Sequence, residues 1–169
     1  MSGIVGRASG KGPGIIGAEG RIGQTCALSL TGGTGSVSGD QYLTTYTTIL
    51  NTAPDLFTPA TNGITVNKTA VYFVKISVYI SVKTGNSDNY VQLGLAYNAN
   101  TRDDRVYQIF SAEGDTGGHR QACFASNVIN LTAGRTYGLY SGIQDGSRNI
   151  NGSTDSMISG ITLTYMNEV

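Results

Sequence analysis

The alternation of apolar and polar positions predicts strands over most of this chain. Residues 70–82, AVYFVKISVYISV, carry the clearest pattern. A period of two with many β-branched side chains is typical of a half-buried strand. One side of this strand carries Val71, Phe73, Lys75 and Ser77, and the other side carries Tyr72, Val74, Ile76, Val78 and Ile80.

Similar short segments recur along the chain, and no segment shows a helical period. We expect strands at 41–50, 64–66, 70–82, 90–98, 105–113, 120–130, 135–143 and 156–166. We expect the segments between them, the longest being 51–63 and 144–155, to be turns and polar loops. About 8–10 short strands separated by turn signals predict an all-β protein, an antiparallel jelly-roll sandwich.

The first 25 residues have a different composition. They contain eight glycines, and GIVG recurs as GIIG eleven residues later. A flexible linker would lack the isoleucines, and ordering so much glycine inside a core is unfavourable. Residues 1–25 are therefore predicted to be an extended arm that lies on another surface, the alternative being a disordered tail. Residues 26–40 are predicted to be a Gly/Ser joint, and residues 41–169 the jelly-roll domain.

Charge and composition exclude several partners. Lysine plus arginine is 11 and aspartate plus glutamate is 11, which argues against nucleic-acid binding. No apolar run approaches the roughly 18 residues of a spanning helix, so we expect no membrane partner, and we find no secretory signal. Cys26 and Cys123 are too few for a disulfide framework and are predicted to be reduced hydrophobic residues.

The sequence offers little for catalysis. The chain's one histidine, His119, lies in a predicted turn, and no G-x-S-x-G or phosphate-loop motif is present. We therefore expect no enzyme, although a glycosidase-like pair of carboxylates stays open. Residues 86–89 and 103–104 offer oxygen ligands for calcium without the spacing of a calcium loop, and we expect no cofactor.

Three segments resemble the superfamily of tumour necrosis factor and the complement globular heads. Residues 64–79, ITVNKTAVYFVKISVY, resemble its central strand, with Ala70 in place of the family's glycine. Residues 127–140, NVINLTAGRTYGLY, resemble a family turn in which Arg135 replaces the usual acid. Residues 156–166 resemble the closing strand and keep its glycine at Gly160. The further matching positions are Tyr72, Val74, Leu131, Gly134, Tyr137, Leu139, Ile158, Ile161 and Leu163.

The resemblance implies a ten-stranded jelly roll that forms a homotrimer around a threefold axis lined by aromatic and aliphatic residues. We expect Tyr72, Tyr79 and Tyr137 at this trimer interface, because a large ring with a polar hydroxyl suits an interface. The alternative is that these rings lie at the ends of the sandwich with their hydroxyl groups in water.

The start of the chain, MSGIVG, resembles that of short bacteriophage virion proteins. This resemblance implies a capsid decoration (cement) protein that is made in the host cytoplasm and binds the major capsid protein on the outer surface of the head. The residues expected to anchor the arm are Ile4, Val5, Arg7, Lys11, Ile15, Ile16, Arg21 and Ile22.

The alternative is the tip of a tail fibre or short tail appendage that recognises a host surface glycan. A glycan hydrolase is a third possibility. The residues expected to bind the glycan at a fibre tip are Asp88, Asn89, Asp103, Asp104, Asp145 and Arg148.

Overall fold

The computed structural model describes residues 22–31, 34–84, 90–97, 105–112, 121–150 and 159–168. These residues form eleven strands and no helix. The strands are β1 (Thr25–Leu30), β2 (Thr34–Tyr42), β3 (Tyr46–Asn51), β4 (Phe57–Ala60), β5 (Gly63–Val66), β6 (Ala70–Thr84), β7 (Tyr90–Tyr97), β8 (Arg105–Ala112), β9 (Gln121–Leu131), β10 (Thr136–Ile150) and β11 (Gly160–Glu168).

The strands form two antiparallel sheets. The first sheet has the order β3-β1-β11-β6-β9. The second sheet is built on β10, which has β5 and β2 along one side and β7 along the other. β4 lies outside β5, and β8 lies outside β7. The sheets join where the end of β6 pairs with the end of β10, at Thr84 and Ser147. The predicted all-β jelly-roll sandwich is confirmed.

The core lies between the two sheets and is supplied by alternate residues of several strands. On β6, the side chains of Tyr72, Val74, Ile76 and Val78 are fully buried. They belong to one cluster with residues of the second sheet, namely Ile64, Val66, Leu95, Tyr137 and Leu139. Burial of apolar area is the main force that holds the two layers together. The period of two predicted for residues 70–82 is confirmed over residues 70–79, whose side chains the structure describes.

Two glycines allow strands to approach closely. Gly63 has φ 141°, and a Cβ there would lie 2.2 Å from the carbonyl oxygen of Tyr137. A Cβ on Gly160 would lie 2.5 Å from the carbonyl oxygen of Leu28. No side chain fits at either distance. Gly160, the glycine that residues 156–166 share with the resembling family, is therefore required by the pairing of β11 with β1.

The structure differs from the prediction in the segments richest in glycine and polar residues. Residues 26–40 are not a joint, because β1 and most of β2 lie there. Cys26, Leu28 and Leu30 alternate and are buried, which makes β1 a core strand between β11 and β3. Residues 144–150, predicted as a loop, continue β10, since β2 and β6 pair with their backbone. The predicted turn 51–63 contains the short strand β4.

Candidate functional site

An exposed group of apolar side chains lies on the outward side of the first sheet, at its β9 edge. Phe124 and Val128 of β9 are 58% and 56% exposed. Cross-strand pairing places Val128 beside Phe73 and Phe124 beside Ser77 of β6. We call this surface the outer face; it consists of Phe73, Lys75, Ser77, Tyr79, Phe124, Ser126 and Val128.

Aromatic packing gives the outer face a defined shape. The ring centroids of Tyr79 and Phe124 are 5.5 Å apart and their planes meet at 87°, an edge-to-face contact. Such pairs fix ring positions and add to the stability of a strand pair. Phe124 therefore stays exposed while its orientation is held by Tyr79.

An open depression lies in the middle of the outer face. Its volume is about 450 Å³, and it is lined by Phe73, Lys75, Phe124, Ala125 and Ser126. Lys75 is exposed and is the one charged side chain of the outer face. An apolar surface rimmed by polar groups is typical of a protein interaction site.

Two of the three tyrosines predicted for the interface are core residues. Tyr72 is 0% exposed and Tyr137 is 2% exposed. The Tyr72 hydroxyl donates to the carbonyl of Lys68 at 2.7 Å, and the Tyr137 hydroxyl accepts from the backbone N–H of Thr132 at 2.9 Å. The prediction is therefore wrong for these two rings, because the strand period turns both into the core between the two sheets. Tyr79 lies on the outer face.

Our sequence-based predictions did not include Phe73, Phe124 and Val128 as interface residues. A signal was present, because Phe124, Ser126 and Val128 alternate along β9 and Phe73 lies on the same side of β6 as Lys75. The pattern alone does not say which side of a strand faces outward. Pairing of β9 with β6 brings these side chains onto one surface.

A second exposed apolar group lies at the opposite edge of the first sheet. Ile49 and Leu50 of β3 are 64% and 46% exposed. β3 is an edge strand whose sequence, YTTILN, has neither a charge nor a proline to discourage pairing with another strand. β1, β11 and β6 separate this edge from β9.

The described part of the predicted arm begins at Ile22, whose side chain is 42% exposed. The Gly23 N–H donates to the carbonyl of Tyr165 at 2.9 Å, and the Tyr165 N–H donates to the carbonyl of Gln24 at 2.9 Å. Residues 23–25 are therefore held by β11 as part of the domain, and the arm ends before Gly23. The other predicted anchoring residues, Ile4, Val5, Arg7, Lys11, Ile15, Ile16 and Arg21, lie outside the described residues.

Most of the residues predicted to bind a glycan also lie outside the described residues, namely Asp88, Asn89, Asp103 and Asp104. Asp145 and Arg148 are in β10 rather than in a loop, and the backbone of Arg148 pairs with that of Lys83 and Val37. Their expected place on a loop is therefore wrong, because the strand pairing continues through this polar sequence.

His119 is outside the described ranges. Where the structure describes the chain, no three His, Cys, Asp or Glu residues come together as metal ligands. The same ranges contain no helix of the length and hydropathy needed to cross a membrane.

Two buried groups of the core are held in their protonated forms. Burial raises the pKa of the Cys26 thiol to about 11, which disfavours a reactive thiolate. Burial also raises the pKa of Tyr46, whose hydroxyl accepts the backbone N–H of Leu139 at 2.9 Å. Both side chains pack in the core between the sheets.

Comparison with known proteins identifies the fold. No protein-family model matches the chain, and no curated protein matches it. Among solved structures, Eiger TNF from S. frugiperda superposes with a TM-score of 0.64 and 17% identity, covering 88% of this chain and 96% of that one. Murine APRIL superposes with a TM-score of 0.58 and 12% identity, covering 85% and 100%. The structural neighbours are jelly rolls of the tumour-necrosis-factor family, and this chain has a β-sandwich of that type.

Proposed function

We propose that this chain is a non-enzymatic structural protein that forms a homotrimer through its outer face and decorates the head of a bacteriophage. The observation that carries the proposal is the exposure of two side chains of β9, Phe124, which packs against Tyr79, and Val128, which lies beside Phe73. Aromatic rings held in place lose little conformational entropy when a partner covers them. They also bury a large apolar area, about 25 cal/mol for each Å².

A second copy is the partner that the fold favours. In a closed assembly every copy buries the same surface, so no copy is left with an uncovered outer face. Three copies agree with the resemblance to the tumour-necrosis-factor superfamily in sequence and with the same type of fold in structure. Tyr79 remains the one predicted tyrosine on the proposed interface.

The arm is the proposed attachment to the head. Its resemblance to the start of phage virion proteins supports a place on the virion, and its apolar pairs, Ile4-Val5 and Ile15-Ile16, supply side chains that can fill capsid pockets. Three arms carried by one trimer bind together, so that modest affinity in each becomes tight attachment. A trimer that bridges neighbouring capsid subunits would resist their separation.

The number of copies in purified virions tests the proposed location. Quantitative mass spectrometry against the major capsid protein should give a count on the order of hundreds, because a decoration protein follows capsid symmetry. A count of a few tens or fewer would favour the tail-fibre tip and its glycan. Absence from virions would contradict both proposals.

Deletion of residues 1–21 tests the arm. This deletion retains Gly23 and its bond to Tyr165, so the domain and the trimer should stay intact while binding to undecorated heads is lost. A finer variant replaces Ile15 and Ile16 with serine and should weaken binding in the same direction. Unchanged head binding by the deleted protein would refute the anchoring role.

A further inference from the structure

Lys75 occupies an unusual place in the outer face. It lies near the middle of β6, where its cross-strand neighbours are Ser126 of β9 and Thr162 of β11. Both neighbours are neutral hydroxyl residues. Two residues before it in β6 lies Phe73, and Phe124 is on the other side of the depression. A positive charge therefore sits within the most apolar part of this surface.

The outer face provides no carboxylate to balance this charge. The two acids whose side chains the structure describes lie elsewhere. Asp55 is in the turn between β3 and β4, and Glu168 is at the end of β11, where it forms an ion pair with Lys68. Glu168 pairs with Ala70, five residues before Lys75 along β6.

Assembly changes the environment of the ammonium group. When another copy covers the outer face, the charge loses water, and a buried charge without a counter-charge is strongly unfavourable. Copies related by a rotation axis also place the same lysine of each copy at an equal distance from that axis, and these charges repel one another where that distance is short. An anion bound beside these groups would offset both the lost hydration and the repulsion.

The depression beside Lys75 has the room and the chemistry for that anion. Its volume of about 450 Å³ exceeds what a small oxyanion needs. The Lys75 ammonium group and the Ser126 hydroxyl both donate hydrogen bonds, which oxygen atoms of carboxylate or phosphate accept. Phe73 and Phe124 line the same space, and their rings would exclude water from it once another copy covers the outer face.

We propose that the assembled outer faces bind an oxyanion, and that Lys75 of the copies that meet there holds it, so that assembly depends on the anion. The inference rests on the self-association part of the proposed function. Two sources supply the same chemistry: a free anion such as phosphate, or a side-chain carboxylate of another copy.

Sedimentation equilibrium of the full chain tests the inference. The association constant is measured in phosphate and in chloride at matched ionic strength, for the unaltered protein, Lys75→Met and Lys68→Met. Phosphate at ten times its dissociation constant should raise the association constant about elevenfold in the unaltered protein. Lys68→Met, which removes a lysine from another surface, should respond in the same way, whereas Lys75→Met should not respond.

The readout is the response to the anion, because methionine itself can strengthen an apolar interface. If a carboxylate of another copy is the ligand, phosphate has no effect, but added sodium chloride weakens assembly of the unaltered protein and not of Lys75→Met. Identical responses of these two proteins to both salts would overturn the proposed oxyanion site but not the proposed self-association. No assembly in any salt would overturn the proposed self-association as well.

Discussion

The two sides of β6 present opposite surfaces from one continuous sequence. Val74, Ile76 and Val78 point inward and are fully buried, whereas Phe73 and Tyr79 point outward and are half-buried. A side that faced only water would be polar, as antiparallel sheets with one solvated face usually are. The aromatic outward side, continued by Phe124 and Val128, is therefore the basis of the proposed self-association. One alternating strand can supply a core and an interface together.

A charge placed on each side of β6 should give the largest contrast. Val74→Asp puts a carboxylate in the core and should destabilise the fold by about 4 kcal/mol or more, since no partner for the charge is buried there. Ser77→Lys, three residues later on the outer face, should fold normally and lose self-association, because it adds a second positive charge beside Lys75. Circular dichroism with urea titration measures the folding. A folded, stable Val74→Asp protein would contradict the core assignment.

Two glycine substitutions test the close approach of strands behind this core. Gly63→Ala should destabilise the protein by about 3 kcal/mol or more, because its methyl group would overlap the Tyr137 carbonyl and its φ is positive. Gly134→Ala is the matched control, since its φ is 78° but nothing lies within 4 Å of the added carbon. It should cost about 1 kcal/mol. Equal losses in urea denaturation would show that the overlap does not decide the effect.

Substitutions at the two edges of the first sheet separate the proposed interface from exposed apolar residues in general. Phe124→Ser combined with Val128→Ser should raise the dissociation constant of the assembly about 100-fold or more, as loss of buried anchors does. Ile49→Ser, at the β3 edge, should leave it unchanged although Ile49 is 64% exposed. Size-exclusion chromatography over a concentration series measures both. If Ile49→Ser weakens assembly and the double substitution on β9 does not, the interface lies at the β3 edge.

Alkaline pH should destabilise the core. The unfolded chain releases the Cys26 proton near pH 9.0, whereas the folded chain keeps it to about 11, so this contribution is complete below 9.0 and is lost as pH rises to about 11. Tyr46, raised from 10.0, acts in the same direction from a higher pH. Between about pH 8 and about pH 10, Cys26→Ala should lose about 1 kcal/mol less stability than the unaltered protein. Equal losses would contradict a buried, protonated thiol.

The sequence predicted the fold where side chains alternate strongly, as in residues 70–82, and where three short segments resemble a known superfamily. It failed where backbone pairing outweighs composition. β1 and β2 were obscured by nearby glycine and serine, and the end of β10 is a strand because β2 and β6 pair with it. These pairings join residues far apart in the chain, and local sequence patterns cannot predict them.

The candidate site was harder to predict than the fold. Tyrosine as a residue type suggested an interface, but the strand period places Tyr72 and Tyr137 in the core. The outer face depends on the register of β9 against β6, which brings Val128 beside Phe73. Neither strand alone shows that its apolar residues meet on one exposed surface.

The mass of the full chain in solution tests the central claim most directly. Sedimentation velocity over a concentration series should give a particle of three times the chain mass of 17.7 kDa, which dissociates when Phe124 and Val128 are replaced with serine. A single chain mass at every concentration would contradict assembly through the outer face. A trimer that survives both substitutions would contradict the surface assigned to it.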